Sequence, residues 1–302
     1  MPALPTFSLD PVAARRWARH AHLRAPWLHE EVARRMAERL SWIRLPVQSW
    51  AHWEPVCGGL AARALLAAQY PAARCIEVQP QAGPVPPTRP ATGWWQRLAR
   101  GGARAPAVVT APDEGSVQLV WANLLADRSD DPATLLADWR RALEVHGFLM
   151  FSCFGPDTLI ELQSLYAELG WPPPLQQFTD MHDWGDRLVT AGFADPVVDM
   201  ERLTLTYDSA ERLLAELREL GRNLHPARFA GLRTPAWRER LLRLIDQRLR
   251  PAPGQPLALT LELVYGHAIK PAPREPLAPM RFTRRRAERA DPDGDERFQP
   301  AP

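Results

Sequence analysis

Residues 117–153, VQLVWANLLADRSDDPATLLADWRRALEVHGFLMFSC, decide the fold. Val117 to Ala122 is an apolar run of strand length that ends at Asn123. Asp131-Pro132 then offers a capping carboxylate followed by a ring that pre-sets the first helical φ. Leu135, Leu136, Trp139 and Leu143 recur behind it at helical spacing, and Gly147 to Cys153 form a second buried strand. A strand, a helix and a strand in series make a βαβ unit, whose two strands lie parallel because one crossover returns the chain to the same edge.

Upstream, Pro46 to Pro80 repeat the pattern. A short strand-like run leads to a turn at Gly58-Gly59, an Ala/Leu-rich helix over Leu60–Gln69 stopped by Tyr70-Pro71, and an apolar strand over Arg74–Val78. Two such units predict an α/β fold: a doubly wound, mostly parallel sheet with helices on both faces. The N-terminal segment, residues 1–44, reads as amphipathic helices from Pro11 to about Leu40, with Asp10 as cap. Gln81 to Pro112 is dense in Pro and Gly and reads as loop, with one short helix around Trp94–Arg100.

Downstream, helices are expected over Pro156–Leu169, Ser209–Gly221 and Trp237–Leu249. Strands are expected near Val197–Asp199, over Glu201–Tyr207 and, as a pair or one long bent strand, over Leu257–Ile269. Beyond Pro271 the chain is Pro, Arg, Asp and Glu with few apolar residues, which cannot offset ordering entropy, so residues 271–302 are expected to be disordered.

Composition narrows the function classes. At 46% hydrophobic and 24% charged the chain reads as globular, and no apolar run reaches the roughly 18 to 20 residues of a membrane span. Met1 to Asp10 lacks the basic start and apolar stretch of a secretion signal, so a cytoplasmic location is expected. A net charge of +2, carried almost wholly by Arg with Lys270 the single Lys, gives no ground for nucleic-acid binding. Cys57, Cys75 and Cys153 have no CxxC spacing and read as small apolar residues. The His and acidic residues complete no metal-ligand set, so no metal is expected.

The stretch Val117 to Leu162 resembles the methyltransferases of biotin synthesis, which methylate the free carboxylate of a malonyl group carried on acyl carrier protein. Trp121-Ala122-Asn123, Asp131-Pro132, Phe151-Ser152 and Gly155-Pro156-Asp157-Thr158-Leu159 carry the likeness. Phe178-Thr179-Asp180-Met181-His182-Asp183, Ala191-Gly192-Phe193 and Leu217 to Pro226 continue it. The resemblance covers roughly residues 45–270. It implies the seven-stranded class I methyltransferase fold, S-adenosylmethionine as cofactor, a malonyl-loaded acyl carrier protein as partner, and a helical lid over about 208–250.

In that family an acid at the end of the first strand is followed by a Gly-rich loop, since glycine lets the backbone approach the cofactor. The pattern falls on Glu54-Pro55-Val56-Cys57-Gly58-Gly59-Leu60, where Glu54, Gly58 and Gly59 are the expected cofactor contacts. Val56 and Leu60 replace outer glycines, and Leu60 is expected to push a branched side chain into the ligand's space. Gln79 stands where the family has an acid for the ribose hydroxyls, Asn123 ends the fourth strand at its ligand-binding edge, and Asp113 is the nearest acid for the adenine amino group. Arg218 and Arg222, with Arg228, suit a malonyl carboxylate or an acidic carrier-protein surface. His182 and Asp183 are expected to be structural, because a carboxylate substrate is already an anion and needs no base. The altered loop keeps a second reading open: a non-catalytic relative that binds a carrier protein or a true methyltransferase subunit.

Overall fold

The computed structural model describes residues 9–18, 25–80, 106–252 and 254–273. The helix expected at Trp94–Arg100 and most of the tail lie outside the described residues. Seven strands form one sheet: β1 (Ser49–Trp53), β2 (Arg74–Val78), β3 (Ala107–Val109), β4 (Val117–Ala122), β5 (Leu143–Phe154), β6 (Ala194–Tyr207) and β7 (Leu257–Ile269), in the order β3-β2-β1-β4-β5-β7-β6. The first five run parallel. β7 lies between β5 and β6 and is antiparallel to both, so the expected mostly parallel, doubly wound sheet is what forms.

The helices are α1 (Pro11–Ala18), α2 (Trp27–Leu40), the single turn α3 (Pro55–Gly58), α4 (Ala62–Gln69), α5 (Pro132–Ala142), α6 (Ile160–Glu168), α7 (Met181–Thr190), α8 (Ala210–Leu220) and α9 (Pro235–Arg248). Caps set several starts: Asp131 accepts the Thr134 N–H at 3.1 Å, Asp180 that of His182 at 2.8 Å and Thr234 that of Trp237 at 3.2 Å.

Strand alternation assigns the two faces. Phe148 and Met150 of β5 join Trp121 of β4 and the apolar stripe Leu28, Val32, Met36 and Leu40 of α2. Leu149, Phe151 and Cys153 point the other way, onto Trp139 of α5 and Trp184 of α7. Each fully buried Leu or Phe in these layers is worth about 1.5–3 kcal/mol relative to exposure. Gly266 of β7 faces Phe151, whose ring fills the volume a Cβ would need. A third cluster joins α6, α8 and α9 to the ends of β6 and β7, so the two helices between those strands form a separate layer over one end of the sheet.

Several boundaries differ from expectation. The helix after Gly155 begins at Ile160 because Leu159 adopts a left-handed conformation, φ 56°, whose N–H reaches the Thr260 carbonyl at 2.6 Å. The two short strands expected between Val197 and Tyr207 are one strand, with a register shift between Ala194 and Val197. β5 starts at Leu143, ahead of Gly147, across a further shift against β4.

Candidate active site

The strand order reverses between β1 and β4, and the crevice outside their carboxyl ends is where open α/β sheets bind ligands. A cleft of about 260 Å³ lies there, lined by Trp53 at the end of β1, Glu54 and Cys57 after it, Leu125 and Arg128 after β4, and Trp17 of α1.

Its floor is the turn after β1. Glu54 sits in the left-handed region, φ 46° and ψ 61°, a conformation that costs a non-glycine residue of order 1 kcal/mol or more. The turn is held by the Glu54 N–H on the Val78 carbonyl at 2.8 Å and the Gly58 N–H on the Glu54 carbonyl at 2.8 Å. Burial pushes the Glu54 carboxyl above the usual range, with the Arg128 charge opposing the shift. The chain reverses again at Gly59, φ 100°, where a Cβ would stand 3.0 Å from the His29 carbonyl oxygen, so only glycine fits. At Gly58 an added Cβ would lie 3.3 Å from the Trp53 carbonyl oxygen.

Leu60 is not in the cleft. It is 50% exposed, and its N–H donates to Glu30 of α2 at 2.9 Å, which turns the side chain outward. The expectation that its branched side chain blocks the ligand's space is therefore corrected. Val56 does not line the cleft either, whereas Cys57 does. Pro55 starts a helical turn at this point, so the loop rises as α3 where a glycine run would lie flat.

Asn123 stands behind the turn, fully buried. Its Nδ2 donates to the His29 carbonyl at 2.7 Å and to the Gly58 carbonyl, and its Oδ1 accepts the Ser152 hydroxyl at 2.7 Å. The amide thus joins α2, the β1 turn and β5 and does not itself face the cleft. Gln79 is half-buried with its N–H on the Val109 carbonyl at 2.8 Å; the next residue, Pro80, lines the cleft. Asp113 is exposed and does not line it. Trp121 is core.

A second cavity, about 410 Å³, opens beneath α8. Its wall is mostly apolar, with Phe154, Leu159, Leu162, Leu214 and Leu217, and it carries Arg218 and Arg222. The Arg222 guanidinium lies 5.0 Å from the Trp17 ring and donates to the carbonyls of Arg218 and Gly221. Arg228 is engaged elsewhere: it pairs with Asp10, whose N–H is on the Leu224 carbonyl at 2.8 Å, and so fastens α1 to the segment after α8. Leu9, Ala14 and Trp17 pack on Leu224 to complete that joint. The His182 ring lies with Nδ1 2.8 Å from Oδ1 of Asp180, the cap of α7, exposed and outside both cavities.

No family model matches the chain. Curated relatives do. A malonyl-[acyl-carrier protein] O-methyltransferase of Gallionella capsiferriformans is 38% identical over 258 residues, covering 82% of this chain and 85% of that one. The protein of the same name in Laribacter hongkongensis is 40% identical over 260 residues, covering 83% and 85%. The chain belongs to the malonyl-[acyl-carrier protein] O-methyltransferase family. Its fold is shared with a solved structure from Bacillus halodurans named for a methyltransferase assignment, at TM-score 0.50 and 12% identity over 78% of this chain and 99% of that one.

Among family features read from the sequence, Glu54, Arg218 and Arg222 reach the cavities, while Gly58, Gly59 and Asn123 shape the turn beside them. Sequence reasoning missed Trp17, Asp127 and Arg128. Trp17 looked like an ordinary apolar helix position. Asp127 and Arg128 sit in a short 3-10 turn, Ala126–Arg128, whose place just past the β4 edge was the available signal. Among the described residues no cluster of His, Cys, Asp and Glu could hold a metal ion, and no described helix is long and apolar enough to cross a membrane.

Proposed function

We propose that this protein transfers the methyl group of S-adenosylmethionine to the free carboxylate of a malonyl group carried on an acyl carrier protein. The observation that carries the reading is the pair of adjoining cavities: a cleft at the strand switch point and an apolar chamber under α8, with Trp17 and Arg128 lining both. One suits a nucleoside cofactor and the other an acyl chain.

The residues of the cleft fit the cofactor. Gly58 and Gly59 let the turn pack closely against Trp53, Asn123 and α2, and the left-handed Glu54 supplies a carboxyl in the cleft for a cationic amino group. Gln79, just before Pro80, is the proposed contact to the ribose hydroxyls. Asn123 acts through the Gly58 carbonyl that it fixes. When bound, the cofactor supplies an electrophilic methyl group on a sulfonium.

The protein's own contribution is alignment and exclusion of water. A carboxylate is nucleophilic as it stands, so no general base is required. Leu159, Leu162, Leu214 and Leu217 keep the chamber dry, which strengthens the attraction between a carboxylate and the cations around it. Arg218 and Arg222 hold the acyl substrate or the acidic surface of its carrier from the α8 side.

Calorimetric titration with S-adenosylhomocysteine, followed by mass spectrometry of malonyl-loaded carrier protein incubated with S-adenosylmethionine, tests the reading. Saturable binding, a stabilisation of about 2.7 kcal/mol at hundredfold excess over Kd, and one added methyl per carrier are expected. No binding at millimolar ligand would overturn it.

A further inference from the structure

We infer that Arg128 is the residue that holds the free carboxylate of the acyl substrate at the point of methyl transfer. The inference rests on the activity proposed above and assigns the group that activity needs at its reacting atoms.

Among the described residues the cleft and the chamber share Trp17 and Arg128 as lining. A methyl group offered from one cavity to an oxygen arriving through the other must cross at that junction, since reacting atoms have to come within roughly 3–3.5 Å. The junction therefore presents one indole and one guanidinium. Of the two, only the guanidinium binds carboxylates, through a planar fork of N–H donors that matches two oxygens at once.

Arg128 is held by neutral neighbours, His29 and the Cys57 side chain, which leave the rest of its fork of donors to a ligand. Its Nη2 lies 2.9 Å from Nε2 of His29, a buried residue of α2. An arginine can only donate, so Nε2 is the acceptor and the imidazole proton resides on Nδ1. His29 thereby acts as a positioning residue that aims the guanidinium. Among the described residues Arg128 enters no ion pair. Two acids sense its charge, Glu54 and Asp127; burial raises both carboxyls and the Arg128 charge opposes each shift, without an ion pair forming among the described residues. Arg222 is placed differently: it donates to the carbonyls of Arg218 and Gly221 at the end of α8 and lies 5.0 Å from the Trp17 ring.

The step is balanced without a proton. One oxygen of the carboxylate forms a bond to the methyl carbon, the methyl–sulfur bond breaks with its electron pair going to sulfur, and the negative carboxylate and positive sulfonium are discharged together. The neutral ester that results is a much weaker acceptor for a guanidinium. Arg128 thus selects the free acid over the ester and lets the product go.

The test is Arg128→Met, with Arg128→Lys beside it. Wild-type and variant proteins are compared for kcat and KM on malonyl-loaded carrier protein, for affinity toward the malonyl carrier against its methyl ester, for S-adenosylhomocysteine affinity, and for thermal unfolding. Loss of a charge-assisted pair predicts a fall of about ten- to a hundredfold in kcat/KM. The preference for free acid over ester should vanish, cofactor-product affinity should be retained, and Arg128→Lys should recover part of the preference. Unchanged kcat and KM would overturn the assignment. So would a loss confined to S-adenosylhomocysteine affinity, which would give the guanidinium to the cofactor. If Arg128→Met does not fold, Arg128→Lys decides alone, because a point charge lacks the fork and must weaken discrimination. A wild-type protein that binds S-adenosylhomocysteine yet leaves the malonyl carrier unmethylated would refute the proposed substrate, a result separate from any variant's behaviour.

Discussion

The carboxylate of Glu30, on α2, accepts the backbone N–H of Leu60 at 2.9 Å. Its second oxygen takes the N–H of Ala61 at 2.9 Å, so one side chain satisfies two donors that the start of α4 leaves open. Because Glu30 belongs to another helix, the cap also anchors α2 to the turn that floors the cleft. Glu30→Ala is expected to lower stability by about 1–2 kcal/mol, read as a drop in the urea midpoint at unchanged m. Glu30→Gln, which keeps one acceptor, should lose less. A midpoint equal to wild type in Glu30→Ala would mean the cap is not held in solution.

The same contact sets the expected behaviour of Leu60. With its N–H held by α2, its side chain is half exposed and lies outside the cleft. Leu60→Gly should therefore leave S-adenosylhomocysteine affinity as in wild type. A tighter complex, measured by calorimetry, would put the leucine back in the ligand's path.

Leu60 shows where the sequence stops being legible. Aligning the turn by residue type assumes the flat course of a glycine-rich loop, and the direction of a side chain there depends on Glu30, thirty positions away, which no local pattern announces. Regular elements were easier to read. Arg74–Val78 and Val117–Ala122 form at the boundaries read for them, because their central and final residues, Ile76 and Val78, and Leu119 to Ala122, are apolar and buried. β6 was harder: Met200 and Glu201 interrupt the alternation of an edge strand, which makes one strand look like two. Arg128 carried one signal, its place just past the β4 edge, but its position where two cavities meet is a property of tertiary packing.

Arg218 and Arg222 supply the next prediction. Both line the chamber under α8, which in the proposed reaction receives the acyl group from its carrier protein. Charge reversal of each, Arg218→Glu and Arg222→Glu, should weaken binding of malonyl-loaded carrier protein by about tenfold at low salt and less at high salt, with S-adenosylhomocysteine affinity kept. Equal carrier affinity for wild type and the double variant, in titrations across salt concentration, would remove both residues from substrate recognition.

Asp127 lines the same chamber, and its acidity gives a pH-dependent outcome. Burial pushes its carboxyl up to about 6 from 3.8, against the opposing Arg128 charge. Its Oδ2 receives only the Phe154 N–H at 3.5 Å, and Oδ1 has no hydrogen-bond partner among the described residues. A group that binds its proton more tightly when folded contributes stability that is fully present below the unfolded value and is lost as pH rises through the folded one. Below about pH 4 Asp127 is protonated in both states and costs nothing; above about pH 6 the folded protein must hold the buried charge. Asp127→Asn, which cannot ionise, is thus expected to be more stable than wild type by about 1–3 kcal/mol at pH 8. That advantage should shrink between pH 6 and pH 4 and be gone below. Thermal unfolding of both proteins across this range checks it, and a difference that does not change with pH would show that the carboxyl's ionisation is not the cause.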